Sequence, residues 1–281
     1  MSTLLFLKKL GSKWYWRCLC YLIVLFSVAC VQILRIDKLM FPVPPATPVA
    51  GNCQIASGDA ILDALYLKGR EGMPTILFSH GNYQTLEDVK SFCEEAQQHG
   101  YSAMAYDYAG YGHSTGCPSE KQACMDIEVV FDYLIQDKKM KPDDIVIVGY
   151  SVGSGPSCHI TTRHAVKALV LCAPFASAIR VVLPFSLPGD KFKNNVVLSS
   201  VEVPTLIFHG KKDRTIPFRN GELLYKVAKS SNKKLIVHDD ADHDDLFLLF
   251  GETFWKELAI FLSSTTTCQK MTKKGDVTCT Q

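Results

Sequence analysis

The sequence lacks several patterns that would place it in familiar functional classes. Its eleven cysteines form no C-x-x-C pair, so a structural metal site of the usual spacing is not expected. A formal net charge of +2 gives no argument for nucleic acid as a partner. No N-x-[ST] glycosylation sequon occurs, and no internal repeat is evident. What remains is a chain of 281 residues, which is long enough for one large domain with a full core.

The first 40 residues are expected to form a separate unit that meets a membrane. An apolar stretch from Cys18 to Leu34 follows four basic residues, and the aromatic residues 14–16 stand where an interfacial belt would lie. This pattern predicts an uncleaved, single-pass signal anchor, with a cleaved signal peptide as the alternative. The basic flank favours a type II topology, whereas the missing sequons favour a cytosolic domain. Palmitoylation of Cys18 and Cys20 is a further alternative, in which the segment lies on the membrane surface.

The rest of the chain divides into a linker, a domain and a tail. Residues 41–52 are rich in proline and predict a semi-rigid linker that holds the domain off the bilayer. Over residues 53–263, short apolar strands alternate with helices, and the last helix is expected from Asp245 to Leu262. This alternation predicts an α/β domain with a mostly parallel sheet flanked by helices. Residues 264–281 are polar and predict a disordered tail.

A serine between a predicted strand and a predicted helix carries the most specific chemical signal. Residues 149–153 read Gly-Tyr-Ser-Val-Gly directly after the apolar strand Ile145–Val148. This is the G-x-S-x-G pattern of a nucleophile elbow, in which Gly149 and Gly153 remove side chains that would crowd a strained turn. The hydroxyl of Ser151 would then stand at the carboxyl edge of the sheet, above the N-terminus of the next helix, expected to run to about residue 163. We therefore expect Ser151 to be a nucleophile.

Two further positions are expected to complete a catalytic triad. A serine needs a base that takes its proton and an acid that orients the base, and in this architecture the chain order is Ser, acid, His. Asp213 follows the predicted strand Thr205–Phe208, and His243 follows the last strand, Leu235–His238. We expect Asp213 to be the acid and His243 to be the base. The acidic residues around His243 are alternatively a solvated loop or a weak cation site.

An early loop is expected to supply the oxyanion hole. The residues His80-Gly81 follow the strand Thr75–Phe78, and an H-G motif at this place shapes the oxyanion loop. The backbone N–H of Asn82 or Tyr83, together with that of Val152, would then hold the negatively charged oxygen of the tetrahedral intermediate. The sequence does not choose between Asn82 and Tyr83. This chemistry requires no metal and no organic cofactor.

With these motifs in order, residues 62–262 resemble an α/β-hydrolase. The segments 78–82, 106–114, 118–120 and 149–153 resemble the membrane-associated α/β-hydrolase domain proteins, above all the subgroups numbered seventeen and thirteen. The resemblance implies the α/β-hydrolase fold and a serine hydrolase activity. Subgroup seventeen implies depalmitoylation of acylated proteins, and subgroup thirteen implies a single-pass type II protein. The hydrophobic N-terminal stretch favours the type II subgroup and weakens the carry-over of depalmitoylation.

The predicted lid bears on the substrate. Only about thirty residues, 175–203, separate two strands where many enzymes of this fold insert a cap domain. A lid this small leaves the nucleophile accessible to bulky substrates, such as an acylated protein or a lipid ester. We expect a membrane-tethered serine hydrolase that cleaves an ester or thioester through an acyl-enzyme. An amidase similar to the serine aminopeptidases and a catalytically inactive membrane scaffold are the alternatives, and the oligomeric state is left open.

Overall fold

The computed structural model describes residues 36–45 and 49–275. The predicted membrane anchor at Cys18–Leu34 lies outside these residues. Within the described ranges, no helix combines the length and the hydropathy that a membrane crossing needs. The chain divides into two units, and the second, which begins at Met40, carries the sheet and the site described below.

Eight strands form one sheet in the order β1-β2-β4-β3-β5-β6-β7-β8. The pairs β1–β2 and β2–β4 are antiparallel, and every pair from β4–β3 to β7–β8 is parallel. This confirms the mostly parallel sheet that the sequence predicts. The strands are β1 Cys53–Ser57, β2 Ala60–Leu67, β3 Thr75–Ser79, β4 Ser102–Tyr106, β5 Ile145–Tyr150, β6 Ala168–Cys172, β7 Thr205–Gly210 and β8 Lys233–His238.

Helices cover both faces of the sheet. The central strands β3 to β7 are buried along their whole length, and alternate residues point to opposite faces. In β3, for example, Leu77 belongs to one apolar cluster whereas Ile76 and Phe78 belong to the other. The helices are α1 Ile36–Met40, α2 Leu86–Gln98, α3 Glu120–Gln136, α4 Ser154–Ile160, α5 Ala178–Val182, α6 Asn194–Leu198, α7 Arg219–Val227, α8 Leu246–Phe250 and α9 Glu252–Gly275, with 3-10 turns at Pro142–Asp144 and Ser151–Gly153.

Side-chain caps set where the two long early helices begin. The Ser119 hydroxyl accepts a hydrogen bond of 3.1 Å from the backbone N–H of Gln122 at the start of α3. Thr85 and Asp88 form a reciprocal capping box at the start of α2. These caps satisfy backbone donors that have no partner within the helix. Thr85 and Ser119 therefore act as the starts of these two helices.

The C-terminal helix differs from the sequence expectation in two ways. It is broken at Gly251, whose φ of 43° lies in the left-handed region, so α8 and α9 replace one continuous helix. It also continues to Gly275, where the sequence predicted a disordered tail from residue 264. The hydroxyls of Ser263, Ser264 and Thr265 each donate to a carbonyl three residues earlier, so these side chains bond along the helix rather than interrupting it.

The proline-rich segment before β1 also differs from the expected semi-rigid linker that holds the domain off the bilayer. Phe41 is only 2% exposed and makes edge-to-face contacts with Tyr108 at 5.7 Å and with Phe192 at 6.1 Å. Pro44 is buried as well. The segment is therefore anchored in the core through its aromatic residue, because an exposed Phe would leave a large apolar area in water.

Candidate active site

Ser151 stands at a tight turn between β5 and α4. Its φ of 53° lies in the left-handed region, which is strained for any residue with a side chain. A Cβ atom on Gly149 would come within 2.5 Å of the Ser157 hydroxyl, and one on Gly153 within 2.1 Å of the Ser79 carbonyl oxygen. Both positions therefore require glycine. The expected single helix begins here as a 3-10 turn that passes into the shorter helix α4.

The structure brings the three predicted side chains together. Ser151 Oγ lies 2.9 Å from His243 Nε2, and His243 Nδ1 lies 2.8 Å from Asp213 Oδ2. Each residue is 6% exposed. They follow β5, β7 and β8, whose carboxyl ends meet at one edge of the sheet because these strands are parallel. A carboxylate that holds the Nδ1 proton leaves Nε2 to accept the serine proton, so the arrangement fits general-base activation of Ser151. That these residues catalyse a reaction stays a prediction.

The surroundings of Asp213 keep its carboxylate ionised. Burial alone would raise the pKa of this carboxyl. Hydrogen bonds with His209 and His243, the charge of His243 and the N–H of Ile216 outweigh burial, and they hold the pKa well below its ordinary value. The N–H groups of Thr215 and Ile216 donate to Oδ1 at 3.0 Å and 2.6 Å. A permanently charged acid is suited to stabilising an imidazolium at His243.

His209 packs beneath the acid loop. The residue is fully buried, and its Nε2–H donates to the Ile216 carbonyl at 2.9 Å while lying 3.5 Å from Asp213 Oδ2. A Cβ atom on Gly221 would come within 2.5 Å of His209 Nδ1, so α7 must carry glycine at this contact. The imidazole therefore fixes the shape of the loop that carries Asp213.

Tyr150 occupies the unspecified position of the elbow pattern directly before Ser151, and it contacts both the backbone and the ring of His243. Its hydroxyl donates to the His243 carbonyl at 2.9 Å, and its ring stacks on the imidazole with 5.2 Å between centroids. Burial, followed by the charges of Asp244 and Asp213, raises the pKa of this phenol well above its ordinary value, so it remains a donor. Sequence reasoning missed this role, because the elbow pattern leaves the position open.

The predicted oxyanion donors lie on two segments in direct contact. A Cβ atom on Gly153 would also come within 2.8 Å of the His80 carbonyl oxygen, so the elbow packs against the start of the oxyanion loop. Val152 is buried and stands at the second position of a 3-10 turn, where its N–H has no acceptor within the helix. Asn82 and Tyr83 are exposed, and Tyr83 has a left-handed φ of 62°. Their role as oxyanion donors stays a prediction.

The acidic loop before His243 is paired with basic side chains. Three of its carboxylates each contact a different cation of the loop around Asp213, rather than converging on one cation site. The loop is therefore tied to its neighbour instead of being simply solvated. The pairs are Asp239 with Lys211 at 2.6 Å, Asp240 with Lys212 at 2.7 Å, and Asp242 with Arg214.

The lid is small, as the sequence predicts. Between β6 and β7 it contains only α5, α6 and their connections. The buried Asp190 closes its base, because its carboxylate accepts from Ser177 Oγ at 2.6 Å and from the Ile179 N–H at 2.9 Å. Val182 and Phe185 at its tip are 78% and 52% exposed. The tip therefore turns away from the core.

Comparison with known sequences places these elements among related proteins. A family described as serine aminopeptidase, S33, matches residues 71–197, a stretch that includes Ser151 and ends before Asp213. The alpha/beta hydrolase domain-containing protein aho-3 of Caenorhabditis elegans is 36% identical over 178 residues, which are 62% of this chain and 53% of that protein. The alpha/beta hydrolase domain-containing protein 17B of Homo sapiens is 34% identical over 193 residues, which are 67% of this chain and 66% of that protein. The chain spans between half and two thirds of the length of these two relatives.

Solved structures share the fold at low sequence identity. An esterase of Pyrococcus furiosus, Pf2001, aligns with a TM-score of 0.64 and 19% identity over 79% of this chain and 98% of that one. The alpha/beta hydrolase domain-containing protein 10 from mouse aligns with a TM-score of 0.54 and 20% identity over 79% of this chain and 98% of that one. Likeness at this level of identity establishes the fold alone.

Proposed function

We propose that this chain, which belongs to the α/β-hydrolases, is a serine hydrolase that cleaves an ester or thioester through an acyl-enzyme. The observation that carries the proposal is the continuous hydrogen-bonded series from Ser151 through His243 to Asp213, with distances of 2.9 Å and 2.8 Å. A nucleophile, its base and the group that orients the base are thereby in contact before any substrate arrives.

The proposed reaction uses these groups twice. Ser151 Oγ attacks the acyl carbon while His243 Nε2 takes the hydroxyl proton, and Asp213 stabilises the resulting imidazolium. The carbonyl oxygen becomes an oxyanion, which the N–H groups of Val152 and of Asn82 or Tyr83 stabilise. The imidazolium returns its proton to the departing alkoxide or thiolate. A water molecule then attacks the acyl-enzyme with His243 again as base, and the acid product and the free Ser151 hydroxyl are released.

An ester or thioester fits the site better than a peptide N-terminus. An aminopeptidase needs a carboxylate that is available to bind the substrate ammonium group. Asp239, Asp240 and Asp242, the three carboxylates that precede the base in its loop, are each engaged by a cation of this chain. The matching family is nevertheless described as serine aminopeptidase, so an amidase is the second candidate, and it shares the same three catalytic residues.

We also propose that the protein is a single-pass membrane protein of type II topology, tethered through Cys18–Leu34. Phe41 is anchored in the domain core, so only residues 35–40 connect that segment to the domain. Even fully extended, six residues reach at most about 20 Å. The site would therefore remain close to the bilayer, which supports an acylated protein or a lipid ester as the substrate. Protease protection in sealed microsomes tests which side of the membrane the domain occupies.

The proposal is tested by active-site labelling of the full chain. A fluorophosphonate probe should label the wild type and the exposed-serine control Ser199→Ala equally, and it should not label Ser151→Ala. Equal labelling of Ser151→Ala would remove Ser151 as the nucleophile. No labelling of the wild type would instead favour an inactive scaffold.

The substrate class needs a separate comparison. Purified protein is assayed with short-chain acyl esters, long-chain acyl thioesters and aminoacyl amides, each with Ser151→Ala as the blank. Faster turnover of esters or thioesters than of amides is expected. A preference for aminoacyl amides would support the second candidate.

A further inference from the structure

One carboxylate joins the two loops that carry the predicted acid and base. Asp242 Oδ1 accepts a hydrogen bond of 2.9 Å from the backbone N–H of Arg214 and one of 2.8 Å from the backbone N–H of His243. Arg214 directly follows Asp213 in the chain. A single oxygen atom thus holds the main chain beside the acid and the main chain of the base.

The other contacts of Asp242 fix this oxygen in place. Its Oδ2 accepts from Arg214 Nε at 2.5 Å and also contacts the terminal guanidinium nitrogen of Arg214. Its own N–H donates to Asp245 Oδ1 at 2.7 Å. The side chain is 22% exposed, compared with 78% for Asp239 and 69% for Asp240. The two outer ion pairs are therefore screened by water and contribute little, and the same holds for the pair with Arg214, whose side chain is 87% exposed. Asp242 differs from the outer two carboxylates because it also accepts bonds from two backbone N–H groups.

Apart from the hydrogen bond between His243 and Asp213 itself, the other described backbone contacts between these two loops lie farther from the base. The N–H of Lys212 donates to the Ala241 carbonyl at 3.1 Å, and the N–H of Lys211 donates to the His238 carbonyl at 2.9 Å. Both contacts lie two or more residues before His243. Without Asp242, the backbone of His243 would keep its bond from Tyr150 and lose the bond that ties it to the acid loop.

We propose that Asp242 is a positioning residue that bridges the two loops and sets the hydrogen bond between His243 and Asp213. Its effect on rate rests on the proposed function, whereas its effect on this hydrogen bond does not.

A displacement of about 1 Å at a catalytic group lowers the rate by roughly 100-fold. A bridge made to two backbone N–H groups depends on an acceptor oxygen, and an ion pair depends on charge. The two roles can therefore be separated by substitution.

The first test observes the hydrogen bond itself. A His243 Nδ1–H that is bonded to a carboxylate gives a low-field proton NMR resonance, which His243→Gln assigns by removing it from the full chain in detergent. The resonance should persist in Asp242→Asn, which keeps an acceptor oxygen, and in the matched control Asp240→Ala. It should weaken or shift upfield in Asp242→Ala. Asp242→Ser, whose hydroxyl is too short to reach both amides, gives a second truncation if the alanine variant does not fold.

The second test measures the rate of acylation of Ser151 by a fluorophosphonate. Asp242→Ala should lower it between about 10-fold and 100-fold. The Asn variant should stay within about fivefold of the wild type, and Asp240→Ala within about twofold. When the rate is measured with an ester that the protein hydrolyses repeatedly, Asp242→Ala should lower kcat and leave KM nearly unchanged.

Several outcomes would overturn the proposal. It fails if Asp242→Ala keeps the wild-type resonance and rate, or if Asp240→Ala loses as much as Asp242→Ala. An Asn variant as impaired as the alanine variant would show that charge, and not the bridging acceptor, is what matters. A wild type that shows the resonance but does not react with the probe would remove the proposed function and leave the bridge intact.

Discussion

At the residue scale, the site depends on how completely one histidine is fixed. All four polar groups of His243 are engaged, two on the ring and two on the backbone. A base held in this way cannot rotate out of line with the nucleophile without breaking several bonds, which favours pre-organised proton transfer. The partners are Ser151 at Nε2, Asp213 at Nδ1, Asp242 at the N–H and Tyr150 at the carbonyl oxygen.

Removal of the Tyr150 hydroxyl should slow acylation of Ser151 without unfolding the protein. Tyr150→Phe loses the 2.9 Å bond to the His243 carbonyl and keeps the ring stacking. A hydrogen bond of this kind contributes about 1 kcal/mol, so the acylation rate should fall roughly fivefold. Fluorophosphonate labelling rates measure the effect, with Tyr225→Phe at an exposed position as the control. Equal slowing of both variants would contradict the assignment.

The charge of Asp213 should make its contribution to stability dependent on pH. Its pKa is lowered in the folded protein from an unfolded value of about 3.9. A group of this kind stabilises the fold above its unfolded pKa, and the contribution is lost as the pH falls toward the folded pKa. Asp213→Asn should therefore be less stable than the wild type at pH 7, and the difference should shrink below about pH 4. Urea unfolding of both proteins at pH 7 and below about pH 4 measures this difference in stability. The same difference at both pH values would contradict the prediction.

The sequence located some residues of this site and not others for a physical reason. Ser151 is marked by glycines within two residues, and Asp213 and His243 are each marked by a position after a strand in a known chain order. Tyr150 and Asp242 have no local mark, because their partners lie 93 and 28 residues away or are backbone groups that any residue supplies. Only the folded chain shows these contacts.

At the element scale, the elbow and the oxyanion loop behave as one packed unit. Gly153→Ala would place a methyl group 2.1 Å from the Ser79 carbonyl oxygen, so the two backbones must separate. We expect the variant to lose at least 10-fold in acylation rate and about 2 kcal/mol in stability. The rate measurement and urea unfolding test this.

Gly72→Ala provides the control for this prediction. Unlike Gly153, whose φ is −60°, Gly72 has a positive φ of 80°, and a Cβ atom there meets nothing within 4 Å. The control should lose about 1 kcal/mol of stability through backbone strain and keep its activity. If Gly72→Ala slowed acylation as much as Gly153→Ala, general destabilisation and not the clash would be the cause.

The ends of elements were harder to predict than the elements themselves. Apolar runs locate β3, β5 and β7, because buried parallel strands need apolar side chains on both faces. The sequence pattern does not mark Gly251 as a break, since glycine in a helix is often tolerated. The polar composition after residue 263 indicated disorder, although hydroxyl side chains can bond to the carbonyls of their own helix.

At the scale of the whole molecule, the segment before the sheet connects the core to the site. Phe41 packs between Tyr108 and Phe192. The Tyr108 hydroxyl donates to the His80 carbonyl at 2.8 Å, and the Phe192 ring lies where a Cβ atom on Gly155 would clash at 2.4 Å. One contact therefore supports the oxyanion loop, and the other supports the helix that follows Ser151. The segment before β1 that contains Phe41 is thus part of the structure that holds the site.

The position where the chain can be shortened follows from this packing. A variant that begins at residue 36 keeps Phe41, whereas one that begins at residue 51 leaves a cavity between Tyr108 and Phe192. Loss of a buried Phe side chain costs about 3 kcal/mol or more, so the shorter variant should unfold at lower urea concentration and react more slowly with the fluorophosphonate.

Phe41→Ala in the full chain should reproduce both losses, and Val43→Ala, at a residue 51% exposed, should reproduce neither. Equal stability of the two truncated variants would show that the core closes without Phe41, and that the catalytic unit begins at β1, where the sequence placed it.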